Sequence, residues 1–229
     1  MSSPSLESTS ATTTYHRMAV DGVGIFYREA GPKDSPTIVL LHGFPSSSRE
    51  FDTLIPLLAT RYHVVASDFP GFGHSDAPPT SFYAYTFDNL ARTINGLLEQ
   101  LKIERYAFYL HDYGGPVGFR IISAHPQRLR ALIIQNANAY QEGLGAKWGG
   151  IAQYWADPKA HSVRYIRIIR SNRTTSHARH LASRALQSGY LDGRICSPVE
   201  TGATRDPGRS TVRLPDKRRY IPSVASMVA

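Results

Sequence analysis

The feature that most constrains the fold of this chain is a series of short apolar runs, each followed by a turn rich in Gly, Pro or Asp. Residues 37–41 and 132–134, for example, are almost entirely Ile, Val and Leu. Such runs are typical of parallel strands that are buried on both faces of a sheet. Helical patterns lie between them, so the sequence predicts an α/β fold with a doubly wound, mostly parallel sheet and helices on both faces.

Six strands and two helices are predicted within the first 135 residues. The strands are expected at 15–20, 23–29, 37–41, 63–67, 106–110 and 131–135. Asp21-Gly22 between the first two strands predicts an antiparallel hairpin. Apolar residues at helical spacing predict one helix over 87–101, with Thr86 as its N-cap. A second helix is expected over 114–124, where the following Pro126 ends it.

Candidate site residues lie in the turns after the strands, because ligands of such sheets bind beyond the carboxyl ends of the strands. The third strand is followed by His-Gly-Phe-Pro at 42–45, the fourth by residues 68–75 and the fifth by His-Asp-Tyr-Gly-Gly at 111–115. The last turn leads directly into a helix, so Asp112 occupies the apex of a strand–turn–helix bend with glycines behind it. This arrangement is typical of a nucleophile elbow, and the helix N-terminus favours negative charge there.

In order and spacing, these three turns resemble the α/β-hydrolase superfamily, and within it the branch of epoxide hydrolases and haloalkane dehalogenases. The resemblance covers about residues 15–160 and implies an α/β-hydrolase core over 15–143. It implies that Asp112 is the nucleophile and that the backbone N–H groups of Phe44 and Tyr113 form an oxyanion hole. The motif residues expected to shape the loops are His42, Gly43, Pro45, Gly114 and Gly115.

The residue at the apex selects the reaction that the resemblance implies. A Ser there would indicate an esterase or lipase, whereas a carboxylate attacks the sp³ carbon of an epoxide or a haloalkane. The alkyl ester that forms is then hydrolysed by water that a His activates. His111 is not expected to be this base, because the neighbour of an elbow nucleophile points elsewhere. Tyr113 replaces the Trp most common after the nucleophile; if that Trp contacts a leaving halide, epoxide opening is favoured over dehalogenation.

The family pattern stops after about residue 161. Residues 144–161 resemble the start of the family's helical cap, but no later segment has the pattern of a buried strand followed by Asp. No Gly-His pair near the C-terminus offers the base either. We therefore expect the sheet to be incomplete at its C-terminal strands and turnover to be impaired by loss of the catalytic acid and His. The alternative is a non-catalytic remnant or a binding protein with a basic tail.

The charge pattern changes at the same point. The chain has a formal net charge of +8, yet residues 1–161 carry 13 basic and 14 acidic residues, whereas residues 162–229 carry 13 and 4. We expect 162–229 to be a basic, poorly ordered tail, and out-of-frame translation is one hypothesis for its composition. Its Arg residues are dispersed without interleaved aromatic residues, so nucleic-acid binding is not expected.

Composition narrows the remaining classes of function. The single cysteine, Cys196, excludes an intrachain disulfide and a four-thiolate metal site. No metal or other cofactor is expected, and the expected partner is a small-molecule electrophile. No apolar run approaches the roughly 18 residues needed to cross a bilayer. The Ser/Thr-rich segment 1–14 lacks the features of a signal peptide, which predicts a disordered leader and a cytoplasmic location.

Overall fold

The computed structural model describes residues 12–139, which form a six-stranded sheet and three α-helices. The strands are β1 (Thr14–Val20), β2 (Val23–Ala30), β3 (Thr37–Leu41), β4 (His63–Ser67), β5 (Tyr106–His111) and β6 (Leu129–Gln135). The helices are α1 (Leu54–Leu58), α2 (Phe87–Gln100) and α3 (Gly114–Ala124). Short 3₁₀ helices cover Ser48–Phe51 and Pro126–Arg128.

Within the described residues, the strand order is β1-β2-β4-β3-β5-β6. β3 pairs in parallel with β4 and β5, and β5 pairs in parallel with β6, whereas β1–β2 and β2–β4 are antiparallel. Asp21 and Gly22 both have positive φ, as a two-residue hairpin turn requires. The doubly wound, mostly parallel sheet and its N-terminal hairpin are therefore confirmed.

The alternation of side chains along β3 shows how the two faces of the sheet are filled. Ile38 and Leu40 belong to an apolar cluster that includes Ile55 of α1. Val39 and Leu41 belong to the other cluster, which contains the buried faces of α2 and α3. Because neighbouring strand residues point to opposite faces, helices cover both sides of this central strand. The carboxyl ends of the parallel strands are left free for the turns.

Helix α2 follows from its sequence. The side-chain oxygen of Thr86 accepts a hydrogen bond from the backbone N–H of Asn89 at 3.2 Å, which caps the helix as predicted. The apolar residues at helical spacing face the sheet and are fully buried. They are Leu90, Ile94, Leu97 and Leu98.

Three details differ from the sequence-based prediction. β6 is parallel to β5 but is not buried on both faces: it lies at the edge of the described sheet, and Ile134 is 50% exposed. Helix α1 and the 3₁₀ helices at Ser48–Phe51 and Pro126–Arg128 were not predicted; all three are too short to show a helical period. Thr14, which was assigned to the leader, begins β1, and its hydroxyl donates to the Glu29 carbonyl at 3.0 Å.

Several predicted segments lie outside the described residues. They are most of the leader, the last residues of the core, the start of the cap at 144–161 and the basic tail at 162–229.

A buried carboxylate, that of Glu29, joins β2 to the first residue of β4, at the end of the sheet opposite the candidate site. Glu29 is 5% exposed, and its Oε1 lies 2.8 Å from His63 Nε2 and 3.2 Å from Lys33 Nζ. Burial alone raises the pKa of Glu29, but the hydrogen bonds from His63 and Lys33 outweigh it, so the pKa lies below its usual value. Ionised Glu29 therefore stabilises the fold.

We expect Glu29→Gln to lower the free energy of unfolding at neutral pH by about 1.5–3 kcal/mol, the usual value of a hydrogen bond to a charged group. A lowered folded pKa gives a stabilisation that is complete above the pKa of the unfolded Glu and is lost as pH falls through the folded value. The difference between wild type and variant should therefore shrink in acid. Urea denaturation across pH measures it, with exposed Glu104→Gln as the control; a gap that does not change with pH would contradict the assignment.

Candidate active site

Asp112 lies at the apex of the turn between β5 and α3. Its φ is +47°, a left-handed conformation that costs a non-glycine residue of order 1–3 kcal/mol. Its carbonyl accepts the Gly115 N–H at 2.9 Å, which begins the helix. The sequence therefore folds into the sharp strand–turn–helix bend that the His-Asp-Tyr-Gly-Gly motif predicts.

Two backbone donors converge on one oxygen of Asp112. The N–H groups of Phe44 and Tyr113 both donate to Asp112 Oδ1, each at 2.8 Å. Phe44 belongs to the β3–α1 loop (residues 42–53) and Tyr113 to the first turn after β5. The structure thus brings together the three residues that the sequence assigned to the nucleophile and its oxyanion hole, although they come from two separate segments.

The pKa of Asp112 results from opposing effects. Burial raises it, and Glu50 raises it further, whereas the hydrogen bonds from Phe44 and Tyr113 and the nearby His111 lower it. The net effect is a pKa above the usual value of an aspartate. The carboxylate is therefore poorly solvated and held by directed donors, which is a common state for reactive carboxyl groups.

His42 holds the start of the β3–α1 loop. The ring is fully buried; Nδ1 lies 2.9 Å from the Gly43 carbonyl, and Nε2 accepts the N–H of Phe69 at 3.1 Å. Burial lowers the pKa of His42, so the ring is neutral, with its proton on Nδ1. Both nitrogens bind backbone groups, which leaves neither for proton transfer. Pro45 follows Phe44 in the same loop through a cis peptide bond.

Asp68 ties this loop to the β4–α2 loop (residues 68–86). Its buried carboxylate accepts the N–H of Ser48 at 2.7 Å through Oδ1 and the N–H of His74 at 2.8 Å through Oδ2. A side chain at Gly73 would lie within 1.9 Å of Asp68 Oδ2, and Gly73 also has a positive φ of 50°. The motif after β4 therefore holds the Ser48 part of the loop that carries Phe44.

Aromatic rings surround the donors. The Tyr113 ring packs 5.2 Å from Phe44 and 5.1 Å from Phe87, and the Phe44 ring contacts Phe72 at 6.0 Å, measured between centroids. Edge-to-face and tilted contacts of this kind fix ring positions. The two residues that supply the donors therefore carry aromatic side chains that pack against each other and against Phe72 and Phe87.

The motif glycines allow the segments to approach each other closely. A Cβ at Gly43 would lie 2.6 Å from the Asp112 Cβ, and a Cβ at Gly114 would lie 2.2 Å from the backbone carbonyl oxygen of Leu41. At Gly115 it would lie 2.8 Å from the Ala137 Cβ. Any side chain at Gly114 would push α3 away from β3 and so displace the elbow.

The sequence did not indicate one contact beside the elbow. His111 Nδ1 lies 2.9 Å from Glu50 Oε1, and both side chains are partly buried. Glu50 comes from the 3₁₀ helix of the β3–α1 loop, which was not predicted, and the two residues share no spacing rule. No signal in a single sequence could have paired them.

Between residues 12 and 139, no group of three or more His, Cys, Asp or Glu residues could hold a metal ion. In the same range, no helix combines the length and apolar character needed to cross a membrane.

The family can now be assigned. The family model described as alpha/beta hydrolase fold matches residues 36–197. The chain belongs to the α/β-hydrolase fold family. This match extends beyond residue 161, where the sequence predicts the basic tail to begin. The tail lies outside the described residues, so its limits and its reading frame stay predictions.

Known proteins of this family are similar to the chain. An "Uncharacterized hydrolase YNR064C" of Saccharomyces cerevisiae is 49% identical over 151 residues, which are 65% of this chain and 51% of that protein. A haloalkane dehalogenase of Psychrobacter cryohalolentis is 34% identical over 113 residues, 49% of this chain and 37% of the enzyme. The chain thus spans about half the length of the yeast relative, and less of the bacterial one.

Solved structures agree on the fold. The crystal structure of haloalkane dehalogenase DbeA from Bradyrhizobium elkani superposes with a TM-score of 0.64 at 22% identity, covering 80% of this chain and 68% of DbeA. At this identity the likeness concerns the fold alone. The similarity in sequence to haloalkane dehalogenases comes from relatives such as the enzyme of Psychrobacter cryohalolentis.

We expect Gly114→Ala to destabilise the fold by about 1–3 kcal/mol, the usual cost of overpacking, because its Cβ meets a backbone carbonyl that cannot rotate away. Gly118→Ala in the same helix is the matched control. Its Cβ would lie 2.4 Å from Cδ2 of the buried Leu110 side chain, which can rotate where a backbone carbonyl cannot. We therefore expect a smaller loss there, and Ala gains up to about 1 kcal/mol over Gly in a helix. Urea denaturation compares the two variants. Equal losses of stability in the two variants would show that the close approach of Gly114 to the Leu41 carbonyl does not limit the packing of α3 on β3.

Proposed function

We propose that this α/β hydrolase opens an epoxide or a haloalkane with Asp112 as the nucleophile, and that an alkyl ester of Asp112 is the covalent intermediate. The family membership and the haloalkane dehalogenase relatives support the class of reaction. The assignment of the nucleophile rests on this chain's own geometry.

The observation that carries the proposal is that both backbone donors hold an oxygen of Asp112 itself. In an enzyme with a Ser nucleophile, such donors bind a carbonyl oxygen of the substrate. Here the carbonyl that water must attack is the Asp112 carboxyl carbon, once it is esterified. Its remaining oxygen, Oδ1, already accepts both hydrogen bonds and would carry the negative charge of the tetrahedral intermediate. This arrangement suits hydrolysis of an aspartyl ester.

In the first step, Asp112 Oδ2 attacks the electrophilic carbon. A new Oδ2–C bond forms while the bond from that carbon to the epoxide oxygen or the halide breaks. The electron pair goes to the halide, which departs as the ion, or to the epoxide oxygen, which stays on the alkyl group as an alkoxide and takes a proton from water. Holding Oδ1 on two donors directs Oδ2 towards the substrate, so the carboxylate is oriented before the substrate binds. This step needs an ionised carboxylate and no base.

In the second step, water adds to the Asp112 carboxyl carbon, and collapse of the intermediate releases the alcohol that carries Oδ2. This step needs a base for the proton of the water. The sequence has no Gly-His pair after residue 139, and His42 is used by backbone contacts. We therefore propose that ester hydrolysis is impaired in this chain and that the alkyl enzyme accumulates.

The surroundings of Asp112 favour an apolar epoxide over a haloalkane. The rings of Phe44 and Tyr113, whose N–H groups bind Asp112 Oδ1, pack against each other. Tyr113 stands where the resemblance leads one to expect a Trp, and its side chain carries no indole N–H for a leaving halide. An aryl epoxide such as styrene oxide fits this description better than a bromoalkane.

The direct test is intact-mass spectrometry of the full chain after incubation with styrene oxide, followed by peptide mapping. We expect one stable adduct per chain, located at Asp112, and slower labelling by a bromoalkane. Asp112→Asn should give no adduct because a neutral amide is not nucleophilic, whereas Asp88→Asn, at an exposed position, should label like wild type.

The outcomes separate the alternatives. Release of diol with multiple turnovers would retain the nucleophile but contradict the proposed impairment. Absence of any adduct in wild type, or an unchanged adduct in Asp112→Asn, would contradict the nucleophile and favour a non-catalytic binding protein.

The rate of adduct formation should depend on pH in a definite direction. Burial raises the pKa of Asp112, and only the ionised form attacks carbon. Labelling should be fastest above this raised pKa and should fall tenfold per pH unit well below it. Initial labelling rates across pH measure the profile. An inflection below the usual pKa of aspartate would contradict the proposed desolvation of the carboxylate.

A further inference from the structure

The contact between His111 and Glu50 connects the two segments that build the site. His111 is the last residue of β5 and directly precedes Asp112, while Glu50 lies in the 3₁₀ helix of the β3–α1 loop. Nδ1 and Oε1 are 2.9 Å apart, and the side chains are 32% and 17% exposed. A partly buried bond of this length is better shielded from water than a surface ion pair.

The same loop supplies the Phe44 N–H that binds Asp112 Oδ1. Its other polar anchors lead away from the elbow. Ser48 N–H binds Asp68, the Ser48 hydroxyl accepts from Arg28 Nε at 3.0 Å, and Asp52 pairs with Arg28 at 2.9 Å. These contacts fix the loop to β2 and to the β4–α2 loop. The contact of Glu50 instead fixes it to the strand that carries the nucleophile.

Resting on the proposed function of Asp112, we propose that His111 and Glu50 are positioning residues, whose contact holds the Phe44 N–H in register with Asp112 Oδ1. Neither residue needs to touch the substrate. Breaking the contact lets the loop move relative to the elbow, so the carboxylate keeps one firm donor, Tyr113, and loses its fixed orientation. Displacements of about 1 Å in such groups can lower rates by about a hundredfold.

Direct electrostatics is the competing explanation, and it makes a different prediction. Glu50 raises the pKa of Asp112, whereas His111 lowers it. If each residue acted only through its charge, removing Glu50 and removing His111 would shift the inflection of the labelling profile in opposite directions and leave the plateau rate unchanged. A positioning contact instead predicts that both substitutions lower the plateau rate, because either substitution breaks the same bond.

The test measures adduct formation by the full chain as a function of styrene oxide concentration, at a pH on the plateau of the labelling profile. Glu50→Ala and His111→Ala should each lower the limiting labelling rate by about tenfold and leave the half-saturating concentration unchanged. The double variant should be no slower than either single variant, because the contact can be lost only once. His111→Asn, which keeps an N–H donor near the position of Nδ1, should recover most of the rate.

Controls separate this proposal from folding and from the proposed function. Rates are taken per folded molecule, measured by circular dichroism, and the exposed Glu104→Ala should behave as wild type. If wild type forms no adduct, the nucleophile assignment fails. If wild type labels and the variants keep its limiting rate, shift in opposite directions, or lose rate additively, then the positioning proposal alone is wrong.

Discussion

The close approach of β3, the elbow and the start of α3 is the constraint on which the candidate site depends. Gly114 must lie against the Leu41 carbonyl, and Gly43 must lie against the Asp112 side chain. This packing forces Asp112 into its left-handed conformation, at a cost of about 1–3 kcal/mol. The two hydrogen bonds to Oδ1, at about 1.5–3 kcal/mol each for a charged acceptor, offset that strain. The strained conformation of Asp112 and the two hydrogen bonds to its Oδ1 therefore depend on each other.

The second donor comes from a loop that is held by the rest of the sheet. Asp68 binds Ser48 and His74, and His42 binds Phe69, so the turns after β3 and β4 are fixed to each other by buried polar contacts. Each of these groups would be costly to bury without a partner. Because they satisfy one another, the loop reaches the elbow in a defined position. Buried contacts distant from Asp112 therefore contribute to the geometry of its carboxylate.

The fold was predictable because its signals are local. The apolar runs defined the parallel strands, Thr86 marked the start of α2, and the Gly-Gly after Asp112 marked the elbow. What could not be predicted depends on contacts between distant residues. Ile134 lies in a run with the composition of a buried strand but is exposed at the edge of the described sheet. Helix α1 is too short to show a helical period. Glu50 contacts His111 although 61 residues separate them in sequence. The roles of the site residues are still proposals.

The choice of a carboxylate at the apex changes what the backbone donors do. A helix N-terminus and two N–H groups favour an anion, and burial opposes it. For a Ser nucleophile these donors would be unoccupied before the substrate binds. In this chain Oδ1 already accepts both hydrogen bonds, so the anion is held where the proposed ester hydrolysis would return the charge. The balance leaves the pKa of Asp112 above its usual value, which keeps the carboxylate both ionisable and poorly solvated. A nucleophile that attacks carbon benefits from that combination, because each lost water is one that need not be removed when the substrate arrives.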